Sequence, residues 1–266
     1  MIQDSPCDSI PPFSLPEKRY FNEEHSVTLQ EPLKLIGLLV RRPDLTLEQF
    51  SHHWRTRHRD LSLLLIAPGI MHGYVQNHRR PDSNPIPGLP LAGDGFPELW
   101  TRGVDVLARL GAAPEYLEGA FLDESNFMDG HSQALLAREI VIDDGPGRVA
   151  APSLLKVMMF FKRAAGVRYA EFANGWQATS HPVLMPGARP LRLIRHLSIE
   201  LPGDAGAAYD GVQTYAGQEA SYWPDISSFL AAWEQRRQGP DYLDEKQTIG
   251  VIVREEPVLF PIHSAR

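Results

Sequence analysis

The sequence predicts an α+β protein in which one βαββαβ unit occurs twice. The first observation is an internal repeat, because the segment LKLIGLLVRRPDLTLEQFSHHW aligns with LLKVMMFFKRAAGVRYAEFANGW later in the chain. The second is a stretch rich in Gly, Pro and Ser at 143–153, which is typical of a linker. The residues matched at one constant offset are Lys34, Arg41, Phe50 and Trp54 with Lys156, Arg163, Phe172 and Trp176. A repeat of this length joined by a linker indicates two copies of one domain.

Strand and helix patterns in the first copy give the order of its elements. Residues 34–41 are an apolar run typical of a strand covered on both faces. Thr46 with Gln49 forms a capping box, and the helix that it begins carries apolar residues at helical spacing. The further elements are strands at 70–78 and 95–100 separated by a Pro/Gly-rich lid or rim, a helical region at 103–128 with a break near 111–114, and a strand at 134–142. This order is that of a ferredoxin-like unit.

The uncovered face of a ferredoxin-like sheet predicts how the two copies associate. Such a face needs a partner, so two tandem copies can pack sheet on sheet, and one chain then forms a pseudo-dimeric α/β barrel. The predicted segments are an extended arm at 1–32, a first domain at 33–142, a linker at 143–153, a second and diverged domain at 154–260, and a tail at 261–266.

Composition and charge exclude several classes of function. The formal net charge of the 266 residues is −7, the wrong sign for a surface that binds nucleic acid through its phosphates. Cys7 is the only cysteine, which excludes an internal disulfide and a cysteine zinc cluster. No apolar run approaches the roughly 18 to 20 residues that span a bilayer, and the N-terminus lacks a signal-peptide pattern. We therefore expect a soluble, cytoplasmic protein with no nucleic-acid or membrane partner.

Four motifs occur in a fixed order in the first copy. They are KLIGLLVRRPDLTLEQFSHHWRTRH, PGIMHGYVQNH, DGFPELW, and LDESNFMD followed by the strand AREIVI. Together they resemble the EthD family, within the dimeric α/β barrel superfamily. The second copy resembles the family less well, since it reads GARPLRLIRH where the first reads GIMHGYVQNH. We therefore expect the family's chemistry in the first copy.

The superfamily implied by this resemblance contains several chemistries. They are cofactor-free monooxygenases of aromatic substrates, polyketide cyclases and dehydratases, muconolactone isomerases and, more distantly, haem proteins. Similarity of fold cannot choose between these activities, so the choice depends on the residues of the site.

The strand IMHGYVQNH carries a row of polar side chains. A period of two places His72, Tyr74, Gln76 and His78 on one face, where an imidazole suits acid or base work near neutral pH. The alternative is a solvated or structural face, which antiparallel sheets often have. His78 aligns with His196 in the second copy, whereas His72 is particular to the first.

His58 lies four residues after Trp54 on the apolar stripe of the first helix, so we expect it to point toward the sheet. It is either an acid or base, or a core histidine that bonds a backbone carbonyl, Asp123 or Glu124. Those two adjacent carboxylates diverge by about 100° on a helix, which favours a structural salt bridge over an acid–base pair. Asp129 is kept as a catalytic candidate because it occurs only in the better-matched copy.

The aromatic residues of the first copy either line a cleft for a planar, apolar ligand or form the core. The predicted substrate-binding residues are Trp54, Phe96, Trp100, Phe121 and Phe127. Histidine spacing gives no metal motif, and the glycine loops of nucleotide sites and the serine-hydrolase elbow are missing. We expect no metal and no cofactor, with haem on His58 or His78 as the alternative.

Together these residues predict a cofactor-free enzyme that performs dehydration, cyclisation or isomerisation by proton transfer on a small aromatic or polyketide-like substrate. His72 or His58 would remove a proton next to a carbonyl, and Tyr74 or His78 would bind the enolate. The alternatives are a cofactor-free monooxygenase of an aromatic substrate, and a carrier or haem-binding protein without catalysis. Because a tandem chain can dimerise without needing to, we expect a monomer or a homodimer.

Overall fold

The computed structural model describes residues 31–81, 86–91, 93–145, 154–178, 190–199, 215–236 and 238–259. The chain is an α+β protein whose eight strands form a closed antiparallel barrel. The strands are Pro32–Leu38 (β1), Gly73–Arg79 (β2), Gly95–Arg102 (β3), Gln133–Asp143 (β4), Leu155–Arg163 (β5), Arg192–Ser198 (β6), Gly217–Trp223 (β7) and Leu243–Leu259 (β8). Their order around the barrel is β1-β3-β2-β8-β5-β7-β6-β4. The predicted arm, linker and tail lie almost wholly outside the described residues.

Helical segments pack on the outside of the barrel. They are Leu47–His53 (α1), Arg59–Leu63 (α2), Val106–Ala112 (α3), Phe121–Glu124 (α4), Tyr169–Ala178 (α5) and Ile226–Glu234 (α6). Trp54–His58 forms a first π-turn between α1 and α2, and Tyr116–Ala120 forms a second π-turn before α4. Such turns are rare in proteins as a whole, but those that occur often lie at functional sites. Within the described ranges, no helix has both the length and the apolar character needed to cross a membrane.

The interior of the barrel is apolar at one level and charged at another. Phe96 and Phe160 belong to a buried apolar cluster drawn mostly from β1, β3, β4, β5 and β8. At the charged level, Glu98 of β3 accepts hydrogen bonds from Lys34 of β1, at 2.8 Å, and from Lys156 of β5. Strand β5 is not a neighbour of β3, so the second of these bonds crosses the interior. All three charged side chains are buried, and their network ties the first four strands to the last four.

Two tryptophans seat helical segments closely on the barrel wall. Trp54 lies over Gly95 of β3, where an added Cβ would stand 2.6 Å from the indole ring. Trp176 lies over Gly217 of β7, where the corresponding distance is 3.0 Å. Both indoles are fully buried. A Cβ at Gly95 would therefore displace the Trp54 ring, whereas one at Gly217 would require the Trp176 ring to move by only a few tenths of an ångström.

Residues 86–91 belong to the excursion that the sequence predicts as a lid or rim. Ile86 is buried, and Trp233 Nε1 of α6 donates a hydrogen bond to the Pro87 carbonyl at 2.8 Å. Leu89 packs so closely on Gly250 of β8 that a Cβ there would stand 2.6 Å from its methyl group. This part of the excursion therefore packs against α6 and β8, which belong to the second half of the chain.

Candidate active site

The first π-turn brings two histidines onto one carboxylate. In an α-helix, residues five apart point about 140° away from each other, whereas the longer period of a π-turn brings them toward one face. His53 Nε2 lies 2.9 Å from Asp123 Oδ2, and His58 Nδ1 lies 3.2 Å from the same oxygen. Arg57 Nε donates to Asp123 Oδ1 at 2.9 Å. These four residues, His53, Arg57, His58 and Asp123, form the Asp123 cluster.

Asp123 fixes the tautomer of His58. Burial raises the pKa of Asp123, but hydrogen bonds from His53, Asn126 and Arg57 outweigh that effect and hold the pKa below its usual range. A carboxylate at this position requires a proton on Nδ1 of His58. Burial also lowers the pKa of His58 to about 4, against the opposing effect of Asp123. At neutral pH the ring is therefore uncharged, with Nε2 free to accept a proton.

Phe127 holds both imidazoles of the cluster in place. Its ring centroid lies 5.1 Å from that of His53, in a stacked arrangement, and 4.7 Å from that of His58. The phenyl ring is fully buried. Phe127 follows Asp123 by four residues, so α4 and the turn after it supply both the carboxylate and the phenyl ring that packs on the two imidazoles.

On the sheet side of the helices, three residues form a closed hydrogen-bonded group. Tyr74 Oη accepts hydrogen bonds from Trp54 Nε1 at 2.9 Å and from Gln76 Nε2 at 3.0 Å. Gln76 Nε2 also donates to the Trp54 carbonyl at 2.9 Å. Burial raises the pKa of Tyr74 to about 12. The phenol is therefore neutral, and protein donors occupy its oxygen.

His78 is part of the packing between helix and sheet. Its ring lies 4.5 Å from that of Trp54, and its Nε2 lies 3.2 Å from Gln76 Oε1. Burial lowers the pKa of His78 to about 3, so the ring is neutral. His196 lies inside the barrel instead, with Nε2 3.4 Å from Glu139 of the charged network. His78 and His196, which the sequence repeat aligns, therefore lie on opposite sides of the barrel wall.

His72 and Asp129 lie outside the Asp123 cluster. His72 precedes β2 and is exposed, and its partial burial together with Arg102 and Arg109 lowers its pKa. Asp129 Oδ1 accepts a hydrogen bond from the backbone N–H of His131 at 2.8 Å, which closes a turn before β4. The polar face predicted for IMHGYVQNH therefore lacks its first histidine, because the strand begins after it.

The barrel wall divides the predicted aromatic lining. Trp54 and Phe127 lie on the helix side, in contact with the site just described. Phe96 belongs to the apolar cluster inside the barrel, and Trp100 packs on the charged network there. Phe121 is 50 % exposed on α4. These five residues therefore do not line one pocket.

Glu124 is a functional candidate that the sequence did not identify. Its carboxyl group accepts a hydrogen bond from Tyr116 Oη at 2.9 Å and has no cation partner among the described residues. Burial raises its pKa to about 7, an effect that the Tyr116 hydrogen bond opposes and Asp123 reinforces. Two neighbouring carboxyl groups whose pKa values are shifted in opposite directions suit the roles of general acid and general base. The available signal was the adjacent pair Asp123-Glu124, which regular helix geometry argued against.

The family model of the EthD domain matches residues 42–131, a range that contains the whole Asp123 cluster. Residues 42–131 are therefore similar to the EthD domain, and the name EthD domain is used for this segment. The match confirms the resemblance carried by the four sequence motifs. No curated protein matches the chain.

Several solved structures are similar to this chain. A candidate monooxygenase from Lactobacillus acidophilus NCFM has 9 % identity and a TM-score of 0.43, over 86 % of this chain and 99 % of that chain. A candidate monooxygenase from Fusobacterium nucleatum has 8 % identity and a TM-score of 0.44, over 86 % of this chain and 95 % of that chain. Chlorite dismutase from Candidatus Nitrospira defluvii has 9 % identity and a TM-score of 0.41, over 86 % of this chain and 94 % of that chain.

Neither of the two cavities described here lies at a histidine of the EthD domain. One described cavity, of about 10 Å³, lies in the charged network and has room for roughly one water. The other, of about 490 Å³, lies beside Trp233. Neither of them borders His58 or His78, the two histidines expected as alternative haem ligands. Across the described ranges, no three His, Cys, Asp or Glu side chains are grouped as metal ligands.

The prediction of a proton-transfer lyase or isomerase is wrong. It placed His72 or His58 as the base beside an enolate-binding Tyr74 or His78. His72 is exposed, and protein donors or rings surround the other two side chains. Of the three solved structures reported above, two are described as candidate monooxygenases and one as a chlorite dismutase, and none as a lyase or isomerase.

Proposed function

We propose that the EthD domain is the catalytic half of a cofactor-free monooxygenase acting on a small aromatic substrate. The observation that carries this proposal is the buried His58, whose Nδ1 is held by Asp123 so that Nε2 is the proton acceptor. An imidazole oriented by a carboxylate is the arrangement that general bases use. The neutral state of His58 at pH 7 supports this role.

In the proposed reaction the substrate supplies its own electrons. His58 Nε2 removes one proton from an acidic ring CH₂ group, and the carbanion reduces dioxygen and forms a C–O bond. Loss of the second C–H proton with cleavage of the O–O bond releases water and leaves a carbonyl. The balance is CH₂ + O₂ → C=O + H₂O, so no external reductant is needed.

Exposed apolar side chains near the Asp123 cluster support an aromatic substrate. Phe121 and Leu122, which directly precede Asp123, are 50 % and 61 % exposed, and Leu117 of the second π-turn is also exposed. Large exposed apolar groups that lie together often mark ligand sites. An aromatic ring bound on this surface would lie beside the helical segment that carries Asp123.

We also propose that the barrel is a tandem pair of ferredoxin-like units. The first four strands lie in the order β4-β1-β3-β2, and the last four in the corresponding order β8-β5-β7-β6. The two contacts of Trp54 with Gly95 and of Trp176 with Gly217 support the same correspondence.

In this correspondence the second unit lacks the tyrosine and the histidine of the first, while Arg195 takes the place of Gln76 and donates to the Trp176 carbonyl. When the β2–β3 register is compared with the β6–β7 register, Leu193 occupies the position of Tyr74 and Leu197 that of His78. Both leucines are buried in the second half. Trp176 Nε1 is accordingly buried without a hydrogen-bond partner, because Leu193 stands where a tyrosine hydroxyl would accept it. These differences support a site in the EthD domain alone.

Oxygen uptake tests the proposed function. Dithranol, a dihydroxyanthrone with an acidic ring CH₂, is the probe, and uptake is measured against the rate without protein. We expect wild-type protein to consume one O₂ per quinone formed, and His58→Ala to lose about 100-fold or more of that rate. His72→Ala, which removes an exposed histidine of the same half, should retain it. Uptake no faster than the background for wild type, or equal uptake by His58→Ala, would contradict the proposal.

A further inference from the structure

Arg57 presents a positive charge at the surface of the Asp123 cluster. Its Nε donates to Asp123 Oδ1 at 2.9 Å, and the two terminal nitrogens of the guanidinium have no hydrogen-bond partner within the described ranges. Those nitrogens carry the remaining N–H donors of the planar fork. The Arg57 side chain is 68 % exposed, whereas that of Asp123 is 2 % exposed. This ion pair therefore buries its anion and presents its cation to solvent.

The two neighbouring arginines differ from Arg57 in the position of their acidic partners. Arg55 Nε donates to Glu256, whose side chain is partly exposed, and Arg59 donates through Nε and Nη2 to the exposed Asp60. At both of these arginines a carboxylate that reaches solvent would repel a second anion. At Arg57 the carboxylate is buried behind the guanidinium, so an anion that approaches from solvent meets the positive charge first.

Arg57 lies beside both the proposed base and the exposed apolar surface. Arg57 Nε contacts Oδ1 of Asp123 and His58 Nδ1 contacts Oδ2, so one carboxylate holds the two side chains at a fixed spacing. Phe121 and Leu122, which directly precede Asp123 on α4, are exposed. One small molecule can therefore contact the guanidinium, the imidazole and an apolar surface at the same time.

We propose that Arg57 is a specificity-determining residue that binds a carboxylate group of the aromatic substrate. This inference rests on the proposed function of His58. The terminal nitrogens of an arginine can form two parallel N–H···O bonds with a carboxylate, which gives affinity and fixes the orientation of the ligand. A ring held in this way packs on Phe121 and Leu122 and directs its acidic CH₂ group to His58. The substrate class is then an aromatic carboxylic acid.

The second copy has no arginine at the corresponding place. Thr179 follows Trp176 by three residues in the sequence, as Arg57 follows Trp54. Asp244, which the sequence repeat aligns with Asp123, lies on β8 and bonds Gln247 and the Lys246 backbone. Recognition of a carboxylate by this arrangement is therefore confined to the half that carries the proposed base.

Two probes that differ by one carboxylate test the role of Arg57. Dithranol and rhein anthrone share the dihydroxyanthrone ring and its acidic CH₂ group, and only rhein anthrone carries a carboxylate. We expect Arg57→Gln to lower kcat/KM for rhein anthrone about 5-fold more than for dithranol, the effect of losing one exposed ion pair. Arg59→Gln, which removes an exposed arginine of the same segment, should leave the ratio of the two values as in wild type. An equal loss for both probes in Arg57→Gln would overturn the proposal.

Binding without turnover separates this proposal from the proposed function. Rhein and danthron, the quinones of the two probes, lack the CH₂ group, and isothermal titration calorimetry measures their Kd. We expect Arg57→Gln to weaken rhein binding about 5-fold more than danthron binding. That result with full oxygen uptake by His58→Ala would reject the base and keep the carboxylate site. Equal weakening of both ligands, or wild-type protein that binds rhein no better than danthron, would overturn the carboxylate site and leave the base to the uptake experiment.

Discussion

At the scale of the residue, Asp123 and Glu124 show that neighbouring identical chemical groups can take opposite states. Asp123 receives donors from His53, His58 and Arg57 and is ionised. Glu124 has one tyrosine hydroxyl and no cation among the described side chains, so burial keeps it protonated up to about neutral pH. The difference arises from the two π-turns, which direct different partners to each carboxyl group.

Glu124→Gln should change the pH dependence of stability. The folded-state pKa of Glu124, about 7, lies above the unfolded value of about 4.3, so wild-type stability falls as pH rises between these values. We expect the variant to have a higher melting temperature than wild type at pH 8 and a similar one at pH 4. Glu118→Gln, on the exposed side of the second π-turn, is the control. The same difference between Glu124→Gln and wild type at both pH values would contradict the shift.

Sequence reasoning identified His58 and offered Asp123 as one of its possible partners. It did not identify His53, because regular helix geometry directs residues five apart to different faces. The first π-turn removes that separation, and no simple periodicity in the sequence reports such a turn. Site roles for His58, Tyr74 and His78 stay predictions until activity is measured.

At the scale of the element, each predicted strand and helix of the first copy has an observed counterpart. The capping box at Thr46 is present, with the Gln49 backbone N–H bonded to the Thr46 hydroxyl at 3.1 Å. The break expected near 111–114 falls between α3 and the second π-turn. The observed ends of the elements differ from the predicted ones by a few residues, because the side-chain pattern alone does not show where a ladder of hydrogen bonds ends.

Gly95→Ala should destabilise the fold by separating the first π-turn from β3. The new Cβ would stand 2.6 Å from the Trp54 ring and 3.0 Å from the Phe50 ring, so the helix must move. We expect a loss of about 1 to 3 kcal/mol in the free energy of unfolding, measured by urea denaturation. Gly111→Ala on α3 meets nothing within 4 Å and should be neutral or stabilise by up to about 1 kcal/mol. Equal effects would mean that the Trp54 contact is not tight.

At the scale of the whole molecule, a buried charge network joins the two ends of the chain. Lys156 of β5 bonds Glu98 of β3 and, at 2.6 Å, Glu255 of β8. Burial lowers the pKa of Lys156, but Glu255 and Glu98 outweigh that effect and raise it. Burial likewise opposes ionisation of Glu98, yet Lys156 and Lys34 hold its pKa well below the usual range. Lys156 and Glu98 are therefore both ionised at neutral pH.

Lys156→Met should destabilise the barrel strongly. The change leaves Glu98 and Glu255 each without one cation, and breaking a buried pair costs about 3 to 5 kcal/mol. Because the lysine pKa is raised, its contribution is complete below the unfolded value of about 10.4 and is lost only as pH rises above it. Chemical denaturation at pH 7 measures the loss. Lys246→Met, at an exposed position of β8, should change stability by less than about 0.5 kcal/mol. Comparable values for the two variants would argue against the network.

The repeat in the sequence predicted that the sheets would associate, and the closed barrel agrees with that expectation. It did not predict the charge network. Lys34 and Lys156 were matched as repeat positions, but their shared partner Glu98 lies on a third strand with no charged counterpart at Ala220. A contact between strands that are distant in sequence leaves no local pattern to read.

Closure also affects how the protein behaves among other chains. Every described strand has a hydrogen-bonded neighbour on both sides, so the folded barrel offers no edge on which a foreign strand could add. The seams β2–β8 and β4–β6 form only after β6 and β8 have been synthesised. During translation, the emerging first half exposes both of those edges, and a strand of another chain can pair with them in this interval.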